Sequence, residues 1–304
     1  MTEPAQNAVP ALPDYRPPFW LRALSRLPFA VWYAFASFLA WLALHVVGYR
    51  RRVVDQQLRA CFPGIDAAAL HALKRDFYRG FADVFVEILK LPTMRADEFR
   101  ERVEIVGVEN VRRHVDAGQS VVLVTSHVCN WEWSLMALSL GLGVQLDAAY
   151  KPLHDVWADQ LFLDMRSRFG ARMIPAKKLL MDVMRRRQQP RVVALVADQD
   201  PVTAKSRYFT TFLGRDTAFY MGPDSIARAA KMPMLFLDAQ RTSRGRYRLT
   251  LEMLVEQGEE LAEGERTERY ARRLERAIRE RPADWLWTYR RWKVRRPVYA
   301  PGQV

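Results

Sequence analysis

The segment 65–91 places apolar residues three or four positions apart, at Leu70, Leu73, Phe77, Phe81, Val84, Phe85 and Ile88. This spacing puts the apolar side chains on one face of a helix. Pro92 follows the segment and cannot continue a helix. We therefore predict an amphipathic helix that packs one face against a protein core and ends before Pro92.

Further along the chain, short apolar runs alternate with segments of helical periodicity. The predicted strands are 120–126, 144–150, 171–175, 191–198, 233–241 and 246–254, and the predicted helices are 131–141, 155–170, 176–189, 222–231 and 265–282. Strands that alternate with helices are typical of α/β domains. The pattern predicts a central mixed, largely parallel sheet flanked by helices.

The N-terminal part of the chain has a different pattern. Residues 27–49 contain no Asp, Glu, Lys or Arg, and the apolar stretch 29–47 can cross a bilayer at about 1.5 Å per residue. It is too long for the apolar region of a cleavable signal, and no cleavage site follows it. We predict an extended, proline-rich tail over 1–19, a membrane-anchor helix over 20–49 and a folded domain over 50–304. A soluble helix that is apolar on all sides is the alternative.

Charges flank this apolar stretch on both sides. Arg16, Arg22 and Arg26 precede it, and three arginines follow it at residues 50–52. Whether the helix spans the membrane or lies within one leaflet therefore stays open, although the three consecutive arginines favour a cytoplasmic position for the large C-terminal part.

The overall charge and the cysteine content narrow the classes of partner. The formal net charge is +13, which indicates an anionic partner: nucleic acid, phospholipid head groups or a phosphorylated substrate. Two cysteines, Cys61 and Cys129, are too few for a disulfide framework or a Cys-rich metal site. They indicate a reduced protein that faces the cytosol.

The sequence TSHVCNWEW, residues 125–133, carries the candidate chemistry. His127 follows a predicted buried strand, Asn130 is a good helix N-cap, and Glu132 lies in the first helical turn. A strand end, a turn and a helix start can bring the histidine and the carboxylate together as a general base and its partner. Cys129 is an alternative nucleophile, although a small buried side chain is the simpler interpretation.

Two other types of chemistry lack support in the sequence. No G-x-S-x-G serine elbow occurs, so direct attack by a substrate hydroxyl is the simplest mechanism. His127 and Glu132 have no third metal ligand at a familiar spacing, and we predict no metal site.

The segment 127–132 resembles the H-x-x-x-x-D/E motif of the glycerolipid acyltransferase superfamily. The chain as a whole resembles the lipid A late acyltransferases, the lauroyl and myristoyl transferases of Gram-negative bacteria. The resemblance extends over residues 20–297 and rests on the N-terminal apolar helix, RRRVVDQQLRACFPG, SHVCNWEW, YKP, RSRFGAR, VADQD and PADWLWTYRRWKVRRP.

This resemblance implies a glycerolipid acyltransferase-like fold and acyl transfer from acyl carrier protein, or acyl-CoA, to a hydroxyl of a lipid A precursor. His127 would be the general base, with Glu132 as its orienting partner. The partners would be acyl carrier protein, membrane phospholipid and an anionic lipid substrate, and no cofactor is implied. The protein would lie at the bacterial inner membrane with its catalytic domain, residues 50–304, facing the cytoplasm.

Four further residues are candidates for substrate binding. Arg166 and Asp198 match positions implicated in the family's site. Arg166 would bind phosphate or stabilise developing negative charge, and Asp198 would orient a basic group or the acceptor sugar. Arg168 and Lys151 are weaker candidates for phosphate contact. The alternatives are a solvated basic helix face for the arginines and a turn-forming role for Asp198. Relatives often carry Gly at the position of Cys129, and some carry Arg at that of Lys151.

The C-terminal segment 282–297 interleaves aromatic and basic residues. That pattern can indicate nucleic-acid binding, but no known nucleic-acid-binding motif accompanies it. Beside a membrane anchor it predicts an interfacial surface with aromatic rings at head-group depth. The remaining alternatives for the whole chain are acyl transfer to a glycolipid, an amino-acid lipid or a lysophospholipid, and a non-catalytic basic membrane scaffold.

Overall fold

A computed structural model describes residues 17–201, 203 and 206–296. Arg16 and most of the predicted N-terminal tail lie outside these residues. The helices are α1 (Phe19–Ser25), α2 (Phe29–Trp41), α3 (Arg51–Cys61), α4 (Ala67–Lys90), α5 (Ala96–Arg102), α6 (Val108–Val115), α7 (Trp131–Gly141), α8 (Val156–Ser167), α9 (Leu179–Arg185), α10 (Gly222–Ala230) and α11 (Glu265–Glu280). The strands are β1 (Val103–Val106), β2 (Val121–Thr125), β3 (Leu146–Tyr150), β4 (Arg172–Pro175), β5 (Val192–Val196), β6 (Arg207–Phe212), β7 (Arg215–Tyr220), β8 (Met234–Ser243) and β9 (Arg246–Val255).

Seven strands form one mixed sheet in the order β1-β9-β8-β2-β5-β3-β4. Neighbouring strands from β8 to β4 are parallel, β9 pairs antiparallel with β8, and β1 pairs parallel with β9. Residues 121–124 of β2 are all buried, as expected for a central strand with both faces covered. The predicted α/β class with a mixed, largely parallel sheet is confirmed.

Most of the predicted elements appear where the sequence pattern places them. The amphipathic helix predicted over 65–91 is α4, and the predicted alternation of strands and helices between 120 and 282 is also present. The antiparallel hairpin β6–β7 was not predicted. Its strands mix polar and apolar positions without a clean alternation, so their periodicity is weak.

Helix α2 packs along α4 and is held by polar contacts as well as apolar ones. Tyr33 Oη donates a hydrogen bond to the Glu87 carboxylate at 3.0 Å. Arg244 Nη2 donates to the Tyr33 backbone oxygen at 2.8 Å and to Ser37 Oγ at 3.0 Å. Within the described residues, one helical stretch, Phe29–Val46, is long and apolar enough to cross a membrane. Its outward side chains are exposed at Val31, Phe35, Phe38 and Trp41.

The sheet brings two chain segments together at one edge. Thr125 at the end of β2 is in register with Val196 at the end of the parallel strand β5. Because parallel strands end at the same edge, the segments after them are neighbours. His127 follows β2 and Asp198 follows β5, so this edge of the sheet brings them close to each other.

Candidate active site

The turn that joins β2 to α7 carries the predicted motif. Thr125 ends β2 and Trp131 begins α7, so residues 126–130 redirect the chain within a few positions. Cys129 has a φ of 53°, in the left-handed region that favours glycine. The Asn130 side chain accepts a backbone N–H of the first turn of α7 at 2.9 Å, and the predicted N-cap is confirmed. The turn thus joins a histidine after the strand to a carboxylate at the helix start.

A buried carboxylate on α4 holds this turn from behind. Glu87 is 0% exposed and accepts hydrogen bonds from Asn130 Nδ2 at 2.8 Å, Tyr247 Oη at 2.6 Å and Tyr33 Oη at 3.0 Å. Its backbone oxygen accepts Trp133 Nε1 at 3.1 Å. Three donors therefore satisfy the buried carboxylate and fix the helix cap of the motif to the core.

His127 and Asp198 form a close hydrogen-bonded pair. Nδ1 of His127 lies 2.7 Å from Oδ1 of Asp198. Oδ2 of Asp198 accepts the His127 backbone N–H at 3.1 Å and Trp285 Nε1 at 2.8 Å. A carboxylate at Nδ1 places the ring proton on that nitrogen and leaves Nε2 as a proton acceptor. Asp198 therefore fixes both the tautomer and the orientation of the imidazole.

The two groups also shift each other's pKa. Burial of the imidazole disfavours its charged form, but the charge and hydrogen bond of Asp198, with the charge of Glu132, outweigh burial and raise the pKa of His127. Burial alone would raise the pKa of Asp198. The charge and hydrogen bond of His127, with the hydrogen bond from Trp285, outweigh that effect and lower it. The carboxylate thus stays ionised and stabilises the imidazolium that a general base becomes.

Glu132 has a different partner from the one that the sequence analysis expected. Its carboxylate accepts Arg166 Nε at 2.9 Å and Nη2 at 2.5 Å, in the two-pronged geometry of an arginine–carboxylate pair. The hydrogen-bonded carboxylate at His127 is instead Asp198. Glu132 acts on the histidine through its charge. The correction has a geometric cause, because Arg166 on α8 lies against the first turn of α7 and takes both carboxylate oxygens.

A cavity of about 370 Å³ lies beside these two pairs. Most of its lining is apolar and includes Leu123, Leu135, Leu138, Leu146, Leu179, Leu195 and Leu237. His127 and three charged side chains line the same cavity, namely Glu132, Lys151 and Arg166. A concave, mostly apolar site with a few convergent polar groups is the usual form of a small-molecule site, and this volume is typical.

The remaining predicted substrate-binding residues lie in different settings. Lys151 is exposed and lines the cavity. Arg168 Nη1 donates to the Leu91 backbone oxygen at 2.8 Å, and its guanidinium lies 4.9 Å from the centre of the Phe169 ring. Arg168 therefore ties the end of α8 to the end of α4, and its role in substrate binding stays a prediction.

The structure bears on two alternative chemistries. Cys129 is buried, and burial, together with the charge of Asp284, raises the pKa of its thiol well above the ordinary value. A thiol in that setting stays protonated and is a poor nucleophile. In the described part of the chain, no group of three or more His, Cys, Asp or Glu side chains could hold a metal ion.

Part of the C-terminal segment is buried in the core rather than at an interface. Trp285 and Trp287 are buried, and Arg291 is buried in an ion pair with Asp200 at 2.6 Å. The basic residues that stay exposed include Arg290, Lys293, Arg295 and Arg296. The expected interfacial surface is therefore limited to these exposed basic side chains, because Trp285 and Trp287 pack into the core.

The sequence pattern did not identify two residues that help to build the site, Glu87 and Trp285. Glu87 is the one carboxylate within the apolar run FVEIL, and a lone charge in such a run is a signal for a buried, partnered group. Trp285 lies in a tryptophan-rich run that suggested an interface. Its indole N–H instead orients Asp198.

Comparison with known proteins gives a family match and one distant relative. The model of the family described as bacterial lipid A biosynthesis acyltransferase matches residues 18–294. The chain is also 22% identical, over 294 residues, to a lipid A biosynthesis lauroyltransferase of Escherichia coli strain K12. That similarity covers 92% of this chain and 93% of the relative.

Proposed function

Because this chain belongs to the bacterial lipid A biosynthesis acyltransferase family, we propose that it transfers a fatty acyl chain from acyl carrier protein, or from acyl-CoA, to a hydroxyl of a lipid A precursor. Family membership establishes acyl transfer in lipid A biosynthesis, while the donor, the acceptor and the residue roles belong to the proposal. The observation that carries these roles is the 2.7 Å contact between His127 and Asp198 beside an apolar cavity.

His127 is the general base of this proposal. Nε2 takes the proton of the acceptor hydroxyl as its oxygen attacks the thioester carbonyl carbon. Asp198 stabilises the imidazolium that forms and keeps the ring in its productive orientation. The raised pKa of His127 matches this role, because a more basic imidazole takes up the hydroxyl proton more readily.

The reaction then passes through a tetrahedral oxyanion. The new C–O bond forms first, and collapse of the oxyanion breaks the C–S bond. The leaving thiolate takes the proton back from His127, which returns to its neutral form. Arg166 can stabilise the oxyanion, because its pairing with Glu132 uses Nε and Nη2 and leaves Nη1 for the substrate. Lys151 adds positive charge at the same cavity.

The apolar cavity receives the acyl chain in this proposal. Leu123, Leu138 and Leu146 line it and are almost completely buried, so the cavity reaches into the core. A hydrocarbon chain in this space places its thioester near His127. Burial of each methylene contributes about 0.8 kcal/mol to binding.

The proposed location follows from the family and from the N-terminal helix. Residues 20–49 anchor the protein in the bacterial inner membrane, and the catalytic domain, residues 50–304, faces the cytoplasm. The exposed apolar face of α2 and the net charge of +13 support contact with anionic phospholipid. A cytoplasmic position gives access to acyl carrier protein.

The test is mass spectrometry of membrane lipids from a Gram-negative host that lacks its own late acyltransferases. Wild-type protein and His127→Ala are expressed at matched levels. We expect the mass of lipid A to increase by one fatty acyl group in cells that express the wild-type protein, and to stay unchanged in cells that express His127→Ala. Addition of an acyl group to a glycolipid, an amino-acid lipid or a lysophospholipid, with lipid A unchanged, would show that the proposed acceptor is wrong. Acyl transfer by the His127→Ala variant would show that His127 is not the general base.

A further inference from the structure

A cleft lined by five basic side chains lies where α2 leads into α3. Arg50, Arg51 and Arg52 come from the start of α3, and Arg290 and Lys293 come from the C-terminal segment. The cleft has a volume of about 640 Å³, and its other lining residues are Val47, Gly48 and Val53. None of these lining residues is acidic. Two chain segments that are far apart in sequence thus combine to form one positively charged depression.

Hydrogen bonds fix the two walls of this basic cleft against each other. Gln57 on α3 donates through Nε2 to the backbone oxygens of Trp287 at 2.7 Å and Tyr289 at 3.0 Å. Its Oε1 accepts the backbone N–H of Arg291 at 3.0 Å. Arg50 Nη1 donates to a further backbone oxygen of the same segment at 3.2 Å. The basic cleft is therefore a built feature of the fold.

The basic residues are placed unfavourably for the stability of α3 itself. A helix N-terminus carries partial positive charge and disfavours cations, yet three arginines lie there and the first turn contains no acidic residue. Arg50 also has a φ of 50°, which is uncommon for a residue with a side chain. Among the described residues, none of the five cations of the basic cleft forms an ion pair with a carboxylate. A bound anion would compensate for this concentration of positive charge.

The surroundings of the basic cleft indicate where that anion comes from. Val46, Val47 and Tyr49 lie at the end of the apolar helical stretch and are exposed by 62%, 66% and 45%. Exposed apolar residues next to a cluster of cations are the arrangement expected at the level of lipid head groups, where rings and aliphatic side chains enter the leaflet and cations meet phosphate.

We propose that the basic cleft binds the phosphate of an anionic glycerophospholipid in the bilayer. The lipid phosphate lies among Arg52, Arg290 and Lys293, and its acyl chains extend along the exposed face of the apolar helix. The binding site holds the protein on an anionic leaflet and is separate from the cavity at His127. The inference rests on membrane association in the proposed function, but not on the acyl-transfer reaction.

The first test measures lipid preference without catalysis. The full-length protein is equilibrated between pure phosphatidylcholine vesicles and vesicles that also contain phosphatidylglycerol, and its distribution is measured after separation. The triple variant Arg52→Gln, Arg290→Gln, Lys293→Gln removes three cations of the basic cleft. Since each cation near an anionic surface changes binding roughly fivefold, we expect the preference for anionic vesicles to fall roughly a hundredfold.

A control variant with the same loss of charge distinguishes binding at the basic cleft from a general effect of net charge. Arg112→Gln, Arg172→Gln, Arg187→Gln removes the same charge from exposed arginines outside the basic cleft. We expect it to keep the wild-type distribution, with both variants as thermally stable as wild type. An equal loss in both variants would overturn the proposal, because net charge alone would then explain the preference. An unchanged distribution in the first variant would overturn it as well.

A second measurement separates the two possible sources of lipid phosphate. The KM for a lipid A precursor dispersed in neutral detergent is compared between wild type and the basic-cleft variant. We expect an unchanged KM alongside the altered vesicle distribution. A raised KM with an unchanged distribution would assign the phosphate to the acceptor and would overturn the bilayer assignment. A protein without acyltransferase activity would still give a result in the vesicle test.

Discussion

Two buried carboxylates serve the motif at residues 125–133 in different ways. Asp198 receives a titratable partner, His127, whose Nδ1 lies 2.7 Å away. Glu132 receives Arg166, a partner that is always charged, through two hydrogen bonds. The imidazole of the first pair can take up and release a proton, whereas the guanidinium of the second pair keeps its charge. We infer that the Asp198 pair carries out proton transfer and that the Glu132 pair arranges charge beside it.

Closeness in sequence does not determine which side chains of this motif interact. His127 and Glu132 are five residues apart, but each takes its partner from a distant segment. Asp198 follows a neighbouring parallel strand, and Arg166 lies on the helix that packs on α7. A short motif can therefore contribute one residue to each of two different interacting pairs.

The largest expected effect comes from replacing the base. His127→Gln keeps a polar side chain of similar size but removes the proton acceptor, so we expect kcat to fall about 10²- to 10⁴-fold. The measurement is the initial rate of acyl transfer to a lipid A precursor, with thermal unfolding as the control for folding. A variant that keeps more than about a tenth of wild-type activity would refute general-base catalysis by this residue.

The Glu132 pair should show a smaller effect that depends on its partner. Glu132→Gln leaves the Arg166 guanidinium without its counter-ion, and we expect a stability loss of about 2 kcal/mol with a roughly tenfold lower rate. The double variant Glu132→Gln, Arg166→Gln removes the uncompensated charge and should recover part of that stability. Denaturant unfolding of Glu132→Gln, Arg166→Gln and the double variant checks this. A loss in the double variant equal to the sum of the two single losses would show that the two side chains are not coupled.

The cavity gives a prediction about chain length. Leu138 lines the cavity about 9 Å along α7 from its first turn, so Leu138→Phe fills its inner part. We expect the ratio of long-chain to short-chain transfer to fall several-fold, since each excluded methylene loses about 0.8 kcal/mol of binding. Competition between two acyl donors in one reaction measures the ratio. An unchanged ratio would place the acyl chain elsewhere.

The smallest effect should come from Cys129. Its φ of 53° suits glycine, so Cys129→Gly relieves backbone strain while it removes a small buried side chain. We expect activity within about fivefold of wild type, because the protonated thiol takes no part in the reaction. The same rate assay applies. A loss of activity comparable to that of the His127 variant would instead support Cys129 as the nucleophile.

The sequence predicted the sheet and most of its helices because their periodicity is strong. It also placed His127 and Asp198 at strand ends, where parallel sheets hold their sites. It did not predict which carboxylate meets the histidine, since that depends on the order of β2 and β5 in the sheet. The roles of Glu87 and Trp285 were not predicted for a similar reason. A buried hydrogen bond between distant residues leaves no periodic pattern.

The most direct test of the central claim is the pH dependence of kcat/KM for wild type, Asp198→Asn and Glu132→Gln. Only neutral His127 can act as a base, so kcat/KM should rise with pH through its raised pKa. Asp198→Asn removes the negative charge that raises this pKa and leaves at most a weaker, neutral hydrogen bond. The midpoint should therefore move to lower pH, with a much lower plateau. Glu132→Gln should move the midpoint the same way but less, because it removes a charge alone. An unmoved midpoint in Asp198→Asn, or a larger shift in Glu132→Gln, would contradict the assignment of Asp198 as the partner of His127.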